Sequence, residues 1–292
     1  MDVILNLLIY TFTTGSIYCI IALGFSLVFG VAEILNLMHG VYYMISGYFV
    51  YTYYIAFNNM AIAVALAILS TTVFGALSYV VVHPVLESPF KTLLSTFAVG
   101  GAVSEILFLV YGVTTYGLPN LLPGGFMILN TPVIKQAILA AGVALFIFVC
   151  FTVFLSRSDT GRAMRAVAQN EEIAKLSGID INTVKFTTIM IAAFLSSVAG
   201  TLYLPLQSLN PGVWMKITVL SFVIVVLGGM GSLGGLLMSS YIIAFTEYAT
   251  TLSFAEGSYI KTGVYLLIMV VILMFRPQGL FGKYLGPLEV QV

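Results

Sequence analysis

Hydrophobic and polar positions alternate along this chain on the scale of whole helices rather than single turns. Apolar runs cover residues 3–29, 40–57, 61–82, 92–112, 133–155, 186–206, 216–228, 233–252 and 258–275, with short polar or turn-forming connections between them. A bilayer-spanning helix needs about 20 mostly apolar residues. The runs therefore predict eight or nine membrane segments, the number turning on the shorter and broken ones. Asn58-Asn59 separates the second run from the third. Residues 83–91 read as a loop, because Pro84 and Pro89, with Glu87 and Lys91, break any buried helix. A Gly/Pro/Asn-rich uncharged connection precedes the fifth run, and 156–184 is the one long polar stretch. The expected fold class is all-α, a polytopic transmembrane helical bundle with broken helices, in a single domain over 1–292. Backbone polar groups find no water in lipid, so only helices or closed barrels can span it, and these runs are not a barrel's.

Composition narrows the function classes. The chain is 60% apolar and 8% charged, against about 45–50% and about 25% in soluble domains. So few charges cannot coat a water-exposed globule, which excludes a soluble enzyme, a secreted disulfide scaffold and a disordered tail. The formal net charge is zero, so no general pull towards nucleic acid is expected. Cys19 and Cys150 both lie in apolar runs and read as small packing residues. The chain opens with Asp2 and has no Lys or Arg before Lys91, unlike a signal peptide with a basic first region.

Basic residues set an expected orientation. With nine spans, Lys91, Arg157, Arg162, Arg165, Lys175, Lys185, Arg276 and Lys283 share one side, leaving Lys135, Lys216 and Lys261 for the other. The richer side is expected to be cytoplasmic, with the N-terminus outside and the C-terminus inside.

Catalytic vocabulary is nearly absent. There are two histidines, and no His-Glu-x-x-His, Gly-x-Ser-x-Gly or Gly-Lys-Ser/Thr loop. The cluster Gly228-Gly229-Met230-Gly231-Ser232-Leu233-Gly234-Gly235 lacks the lysine that would neutralise phosphate. It reads as a helix break or close helix contact, either purely packing or lining a transport path. Between the first two runs, Glu33, Asn36 and His39 recur every third residue and would share one helical face. With Gly40 they form either an interfacial turn or part of a path; they are too few for a metal site. Glu105 and Glu247 fall inside apolar runs. A mid-bilayer carboxylate costs about 2.5–3.5 kcal/mol on insertion scales, so each should face the bundle or a wet cavity. For Glu105 a proton relay or substrate contact and a packing role both stay open; Glu247, nearer an outer end, reads as packing. No catalytic or metal-ligating set can be assembled, and no cofactor is expected in this chain.

The polar stretch carries the most information. Thr160 is placed to cap a first short helix and Asn170 a second, with Glu171 and Glu172 at its positive end and Lys175 nearer its negative end. Gly178 is suited to the left-handed position after it. Ile173, Leu176 and Ile179 give this second helix an apolar edge. Two capped helices suit a docking surface or an amphipathic loop resting on headgroups.

This stretch resembles the coupling loop of ABC importer membrane subunits. The string Gly161-Arg162-Ala163-Met164-Arg165-Ala166-Val167-Ala168-Gln169-Asn170, with Ala174 and Gly178, is similar to the branched-chain amino acid permease family. Gly24 with Asn36-Leu37-Met38-His39-Gly40, the glycine cluster, and the ending Arg276-Pro277-Gln278-Gly279-Leu280-Phe281-Gly282 match that family in order. Leu37-Met38 departs from the Phe-Ala many members carry there, conservatively.

The resemblance implies a transport subunit that is not itself an enzyme. It would move branched-chain amino acids inward, dock two cytoplasmic ABC ATPases, and pair with a second related permease or with itself. An extracytoplasmic binding protein would deliver substrate. Coupling would fall to Gly161, Arg162, Arg165, Asn170, Glu171, Glu172, Ala174 and Gly178, and the path to Asn36, His39, Gly40, Glu105, Gly228, Gly229 and Gly231. The location implied is a prokaryotic inner membrane. The competing expectations are a relative that carries urea or short amides, and an ion-coupled transporter using Glu105.

Overall fold

The structure is a computed structural model of the chain and describes residues 2–32, 35–86, 88–128, 131–254 and 256–282. Three positions discussed above, Glu33, Glu87 and Lys283, lie outside the described residues. In chain order the elements are α1 (Asp2–Ala32), α2 (His39–Phe57), α3 (Met60–Val82) with a 3-10 turn His83–Val85, and α4 (Pro89–Tyr111). A hairpin of β1 (Gly125–Ile128) and β2 (Thr131–Ile134) then leads into α5 (Lys135–Arg157), α6 (Asp159–Gln169) and α7 (Glu171–Leu176). The chain continues with α8 (Ile181–Tyr203), a 3-10 turn Leu204–Leu206, α9 (Val213–Gly228), α10 (Leu233–Ser253) and α11 (Gly257–Phe275). It is an all-α polytopic bundle.

Each apolar run of the sequence holds one helix. Five helical segments are long and apolar enough to cross a bilayer, Ile4–Ala32, Met60–Val85, Pro89–Tyr111, Lys135–Arg157 and Ile181–Leu206, while Val213–Gly228 and Tyr259–Phe275 are shorter apolar helices. The boundaries follow local chemistry. Asn58 ends α2 in the left-handed region at φ 48°, and the Asn59 side chain accepts from the Ala61 and Ile62 amides to start α3. Pro89 sits in the first turn of α4, where its missing N–H costs nothing. Ser232 caps α10 by accepting from the Gly235 amide at 3.1 Å.

The connection before α5 departs from the sequence expectation. Val133 and Ile134 belong to β2 rather than to the helix, with Phe126 opposite Val133 and Met127 opposite Pro132. Thr131, Val133 and Ile134 are β-branched, which favours extended backbone, and the helix starts only at Lys135. Gln136 then clamps the preceding loop: its Oε1 accepts from the Leu121 amide at 3.1 Å, and its Nε2 donates to the Leu202 carbonyl at 2.9 Å.

α1, α2 and α8 form the centre, with buried Ile17, Ile21 and Leu23 of α1, Val41, Met44 and Tyr48 of α2, and Leu195, Ser196 and Ala199 of α8. α9 and α10 pack on α1. α4 is peripheral, docking through one stripe of small and polar residues, Thr92, Thr96, Gly100 and Ser104. Cys19 is buried, but Cys150 is exposed on α5 and is not the packing residue the sequence suggested.

Candidate functional sites

The polar stretch folds as two short helices braced against the bundle. Ser158, not Thr160, caps α6: its extended backbone (φ −84°, ψ 156°) aims Oγ at the Gly161 amide, 2.9 Å away. Thr160 already lies inside the first turn. Gly161 rests on the Phe154 and Leu155 carbonyls, where a Cβ has no room. α6 buries Gly161, Met164 and Val167 on one face and leaves Arg162 outside, ion-paired with Asp159. Arg165 lines a cavity of about 270 Å³ together with Leu23, Gly30, Phe151 and Gly231.

α7 is capped at both ends. The Asn170 side chain accepts from the Ile173 amide at 2.9 Å. Glu171 and Glu172 fill the first turn and Lys175 the last, the arrangement the helix dipole favours. Gly178, at φ 83°, lets the Ile179 amide reach back to the Ala174 carbonyl at 3.1 Å. Ala174 is buried, whereas Ile173 is 62% and Leu176 89% exposed. Lys185 of α8 pairs with Glu171 at 2.8 Å. Asp180 caps α8 by accepting from the Asn182 amide at 3.1 Å. The Thr183 hydroxyl donates to Asp180 at 2.6 Å and holds its carboxyl below the usual range.

Asn36, His39 and Gly40 come together at the crossing of α1, α2, α8 and α9. Residues 35–38 are not helical, so the three-residue spacing does not place these groups on one helical face. Instead Asn36 Oδ1 accepts from the Met38 amide at 2.9 Å, a side-chain-closed turn. The His39 Nε2–H donates to the Ile21 carbonyl at 2.7 Å, and the His39 carbonyl accepts from Ser196 Oγ at 2.9 Å. His39 Nδ1 is buried without a partner among the described residues. The Gly40 amide donates to Thr218 Oγ1 at 3.2 Å, and a Cβ at Gly40 would strike the Trp214 carbonyl. This turn is deep in the protein, not at its surface.

Glu105 is elsewhere. Its neighbour Ser104 donates to the Pro211 carbonyl at 2.7 Å and faces inward. One residue on is about 100° round a helix, and Glu105 stands on the exposed face of α4. Of the two expectations, bundle or wet cavity, this chain's own bundle does not supply the first: the docking stripe of α4 turns Glu105 outward.

The glycine cluster forms a third location. Gly228 and Gly229 pack against the segment after α11, where the Leu280 amide donates to the Leu227 carbonyl at 2.8 Å and the Phe281 amide to the Gly228 carbonyl at 3.1 Å. Gly235 abuts the Gly228 carbonyl and Gly279 the Gly229 backbone. Gly231 is open, on the wall of the cavity that Arg165 also lines. The cluster and the Arg276-to-Gly282 string, matched separately in the sequence, are one joint.

Glu247 is 2% exposed. Its Oε2 accepts from the Tyr18 hydroxyl at 2.5 Å, and its Oε1 pairs with Lys261. Sequence reading missed both partners. One signal was present: Glu247 and Lys261 flank the short turn between α10 and α11, which folds them together. Tyr18, on α1, had none. Among the described residues, no three His, Cys, Asp or Glu side chains gather as a metal site.

A family model described as branched-chain amino acid transport system / permease component matches residues 7–273. The chain is 29% identical to the high-affinity branched-chain amino acid transport system permease protein BraD of Pseudomonas aeruginosa, over 96% of each chain. It is 26% identical to LivH of Escherichia coli K12, a permease protein of the same description, over 93% of each. A probable branched-chain amino acid permease LivH of Methanocaldococcus jannaschii is 24% identical, over 92% of this chain and 89% of that one. No solved structure matches.

Proposed function

Because the chain belongs to the branched-chain amino acid transport system permease family, we propose that it is the membrane subunit of an ABC importer that carries branched-chain amino acids inward. It is a transport subunit and not itself an enzyme. The whole of 1–292 acts as one permease domain of nine spans in a prokaryotic inner membrane, N-terminus outside and C-terminus cytoplasmic.

The observation that carries the coupling role is the state of α7. Ile173 and Leu176 stand in the open on a helix that is capped by Asn170, closed by Gly178 and tied to α8 through Glu171 and Lys185. Apolar side chains held rigidly outside the bundle are a knob for a cytoplasmic ATPase cleft. Gly161, Arg162, Arg165, Glu172 and Ala174 complete the loop. When two ATPases close on ATP, the loop moves as a body. The crossing at Asn36, His39 and Gly40 and the joint at Gly228, Gly229 and Gly231 are the places where helices pivot on small contacts.

Glu105 supports the pairing with a second permease, a copy or a related chain. A carboxylate on the outward face of a membrane helix is relieved by protein or by a water-filled path, not by lipid. Substrate arrives from an extracytoplasmic binding protein, and the chain needs no cofactor of its own.

Radiolabelled leucine uptake by the assembled transporter tests this reading. Uptake should cease on ATP depletion and survive a proton uncoupler. Uptake that follows the proton gradient and ignores ATP overturns ABC coupling and points to Glu105 as a proton carrier. Competition by valine and isoleucine, with none by urea, is the expected substrate pattern.

A further inference from the structure

Lys216, Glu247 and Lys261 form one layer across α9, α10 and α11. α9 and α10 run antiparallel from the glycine joint, and two contacts fix how they face each other. Gly235 abuts the Gly228 carbonyl. Four residues further along each helix, the Ser239 hydroxyl donates to the Ile224 carbonyl at 2.8 Å. Two more steps of four residues, through buried Leu220 and Ile243, bring Lys216 level with Glu247. Lys216 accordingly lies within electrostatic range of both Glu247 and Lys261.

The layer holds two ammonium groups and one buried carboxylate. Tyr18 occupies Oε2 of Glu247, and Lys261 pairs with Oε1. Lys216 is half-buried and makes no ion pair among the described residues. It stands in the first turn of α9, at the positive end of the helix dipole, where an ammonium gains from a nearby carboxylate. Glu256, in the turn before α11, is exposed and also joins no ion pair among the described residues. The two lysines therefore compete for a single oxygen of Glu247. Lys216 and Glu247 each stand twelve residues from the joint, at Gly228 and Gly235, about 18 Å along the helix. At that radius a rotation of about 10° carries one side chain about 3 Å past the other, enough to make or break an ion pair.

We propose that Glu247 is a two-position latch, paired with Lys261 of α11 in the conformation described and with Lys216 of α9 in a second one, reached when α9 rocks against α10 about the glycine joint. Tyr18 keeps Oε2 throughout, and Oε1 changes partner. The buried carboxylate then has a cation in both end positions. Between them it is fully paired with neither lysine, and a buried charge without its partner is costly. The two positions are thereby discrete, as a switching helix pair requires. The proposal rests on the reading that the chain alternates between two states as an importer subunit, and it names the side chains that hold each state.

The test uses the complete transporter in lipid nanodiscs, with spin labels at Gly212→Cys and Leu252→Cys, both exposed and just beyond the layer, in a Cys150→Ala background. Cys19 is buried and takes no label. Labelled permease is diluted with unlabelled, so that distances within one chain are read. They are measured without nucleotide and with ATP hydrolysis arrested by vanadate, and leucine uptake is followed in parallel. Two distances are expected, in a ratio that changes with nucleotide. Lys216→Met should deplete one of them at least fivefold in both conditions, and Lys216→Arg should restore it. In a Glu247→Gln background the same Lys216→Met change should alter the ratio less than twofold. A fivefold depletion that persists in that background overturns the latch, because Lys216 then acts without Glu247. A single distance in both conditions, or a ratio indifferent to Lys216→Met, overturns it as well. Absence of leucine uptake in the unmutated transporter, with both distances and the Lys216 effect present, supports the latch and sinks the cargo reading instead. If Lys216→Met fails to assemble, Lys216→Gln removes the same charge with a polar side chain.

Discussion

Lys185 on α8 holds Glu171 at the first turn of α7 at 2.8 Å, so the exposed helix is tied to one of the most buried helices in the protein. α8 in turn carries Ser196, which donates to the His39 carbonyl at the start of α2. If α7 couples as proposed, these two polar contacts and the helix between them are the route by which its displacement would reach the centre of the bundle.

Lys185→Met should reduce ATP-driven leucine uptake several-fold while costing little stability. Glu171 is half exposed, and pairs of that kind contribute about 0.2–1 kcal/mol. Thermal unfolding in detergent and uptake, measured side by side, separate the two effects. Lys185→Arg should recover transport.

Leu176→Asp should leave the unfolding temperature unchanged, since the side chain is 89% exposed. Retention of the ATPase subunits on the purified permease should fall by about tenfold, equivalent to about 1.4 kcal/mol. Full retention would remove α7 from the docking surface.

At Gly40 the constraint is space. A methyl group there meets the Trp214 carbonyl and Thr218 Oγ1, so Gly40→Ala forces α2 away from α9. Overpacking of this kind costs about 1–3 kcal/mol, visible as a lower unfolding temperature and a reduced yield of folded protein.

Breaking the Glu247–Lys261 pair from one side should be worse than removing both charges. Lys261→Met leaves a carboxylate 2% exposed whose remaining side-chain hydrogen bond among the described residues comes from Tyr18, a loss of about 3–5 kcal/mol. Adding Glu247→Leu should return most of that stability, as read from the unfolding temperatures of the single and double variants.

The Asp180 cap should show a defined pH dependence. Hydrogen bonds from Thr183 lower its carboxyl pKa in the folded protein, so its contribution is complete above the ordinary carboxylate range. The contribution disappears as pH falls through the lowered folded value. The difference in unfolding temperature between the wild type and Asp180→Ala should therefore be largest near neutral pH and shrink on acidification.

Much of this fold was legible because membrane helices announce themselves by length. The break at Asn58-Asn59, the cap at Asn170 and the turn at Gly178 were legible for a different reason: each satisfies backbone groups within a few residues. Ser158 was missed for Thr160 because both are good capping residues two positions apart, and only backbone direction chooses between them. The hairpin before α5 has no clean alternation to reveal it.

The outward turn of Glu105 was hidden by the way membrane helices dock. α4 uses Thr92, Thr96, Gly100 and Ser104 as its inner stripe, so its inner face is the small, polar one and ordinary amphipathicity gives no guide. The partners of Glu247 and the contact between the glycine cluster and the C-terminal string are long-range, and residue spacing alone does not reach them.

That last contact has a consequence for how the protein is made. The carbonyls of Leu227 and Gly228 are met by the amides of Leu280 and Phe281, which leave the ribosome only after both helices that separate the two segments. During synthesis the bend between α9 and α10 has its hinge but not its latch. The latch can close only when the chain beyond α11 folds back, so this joint sets after α10 and α11 have both been made.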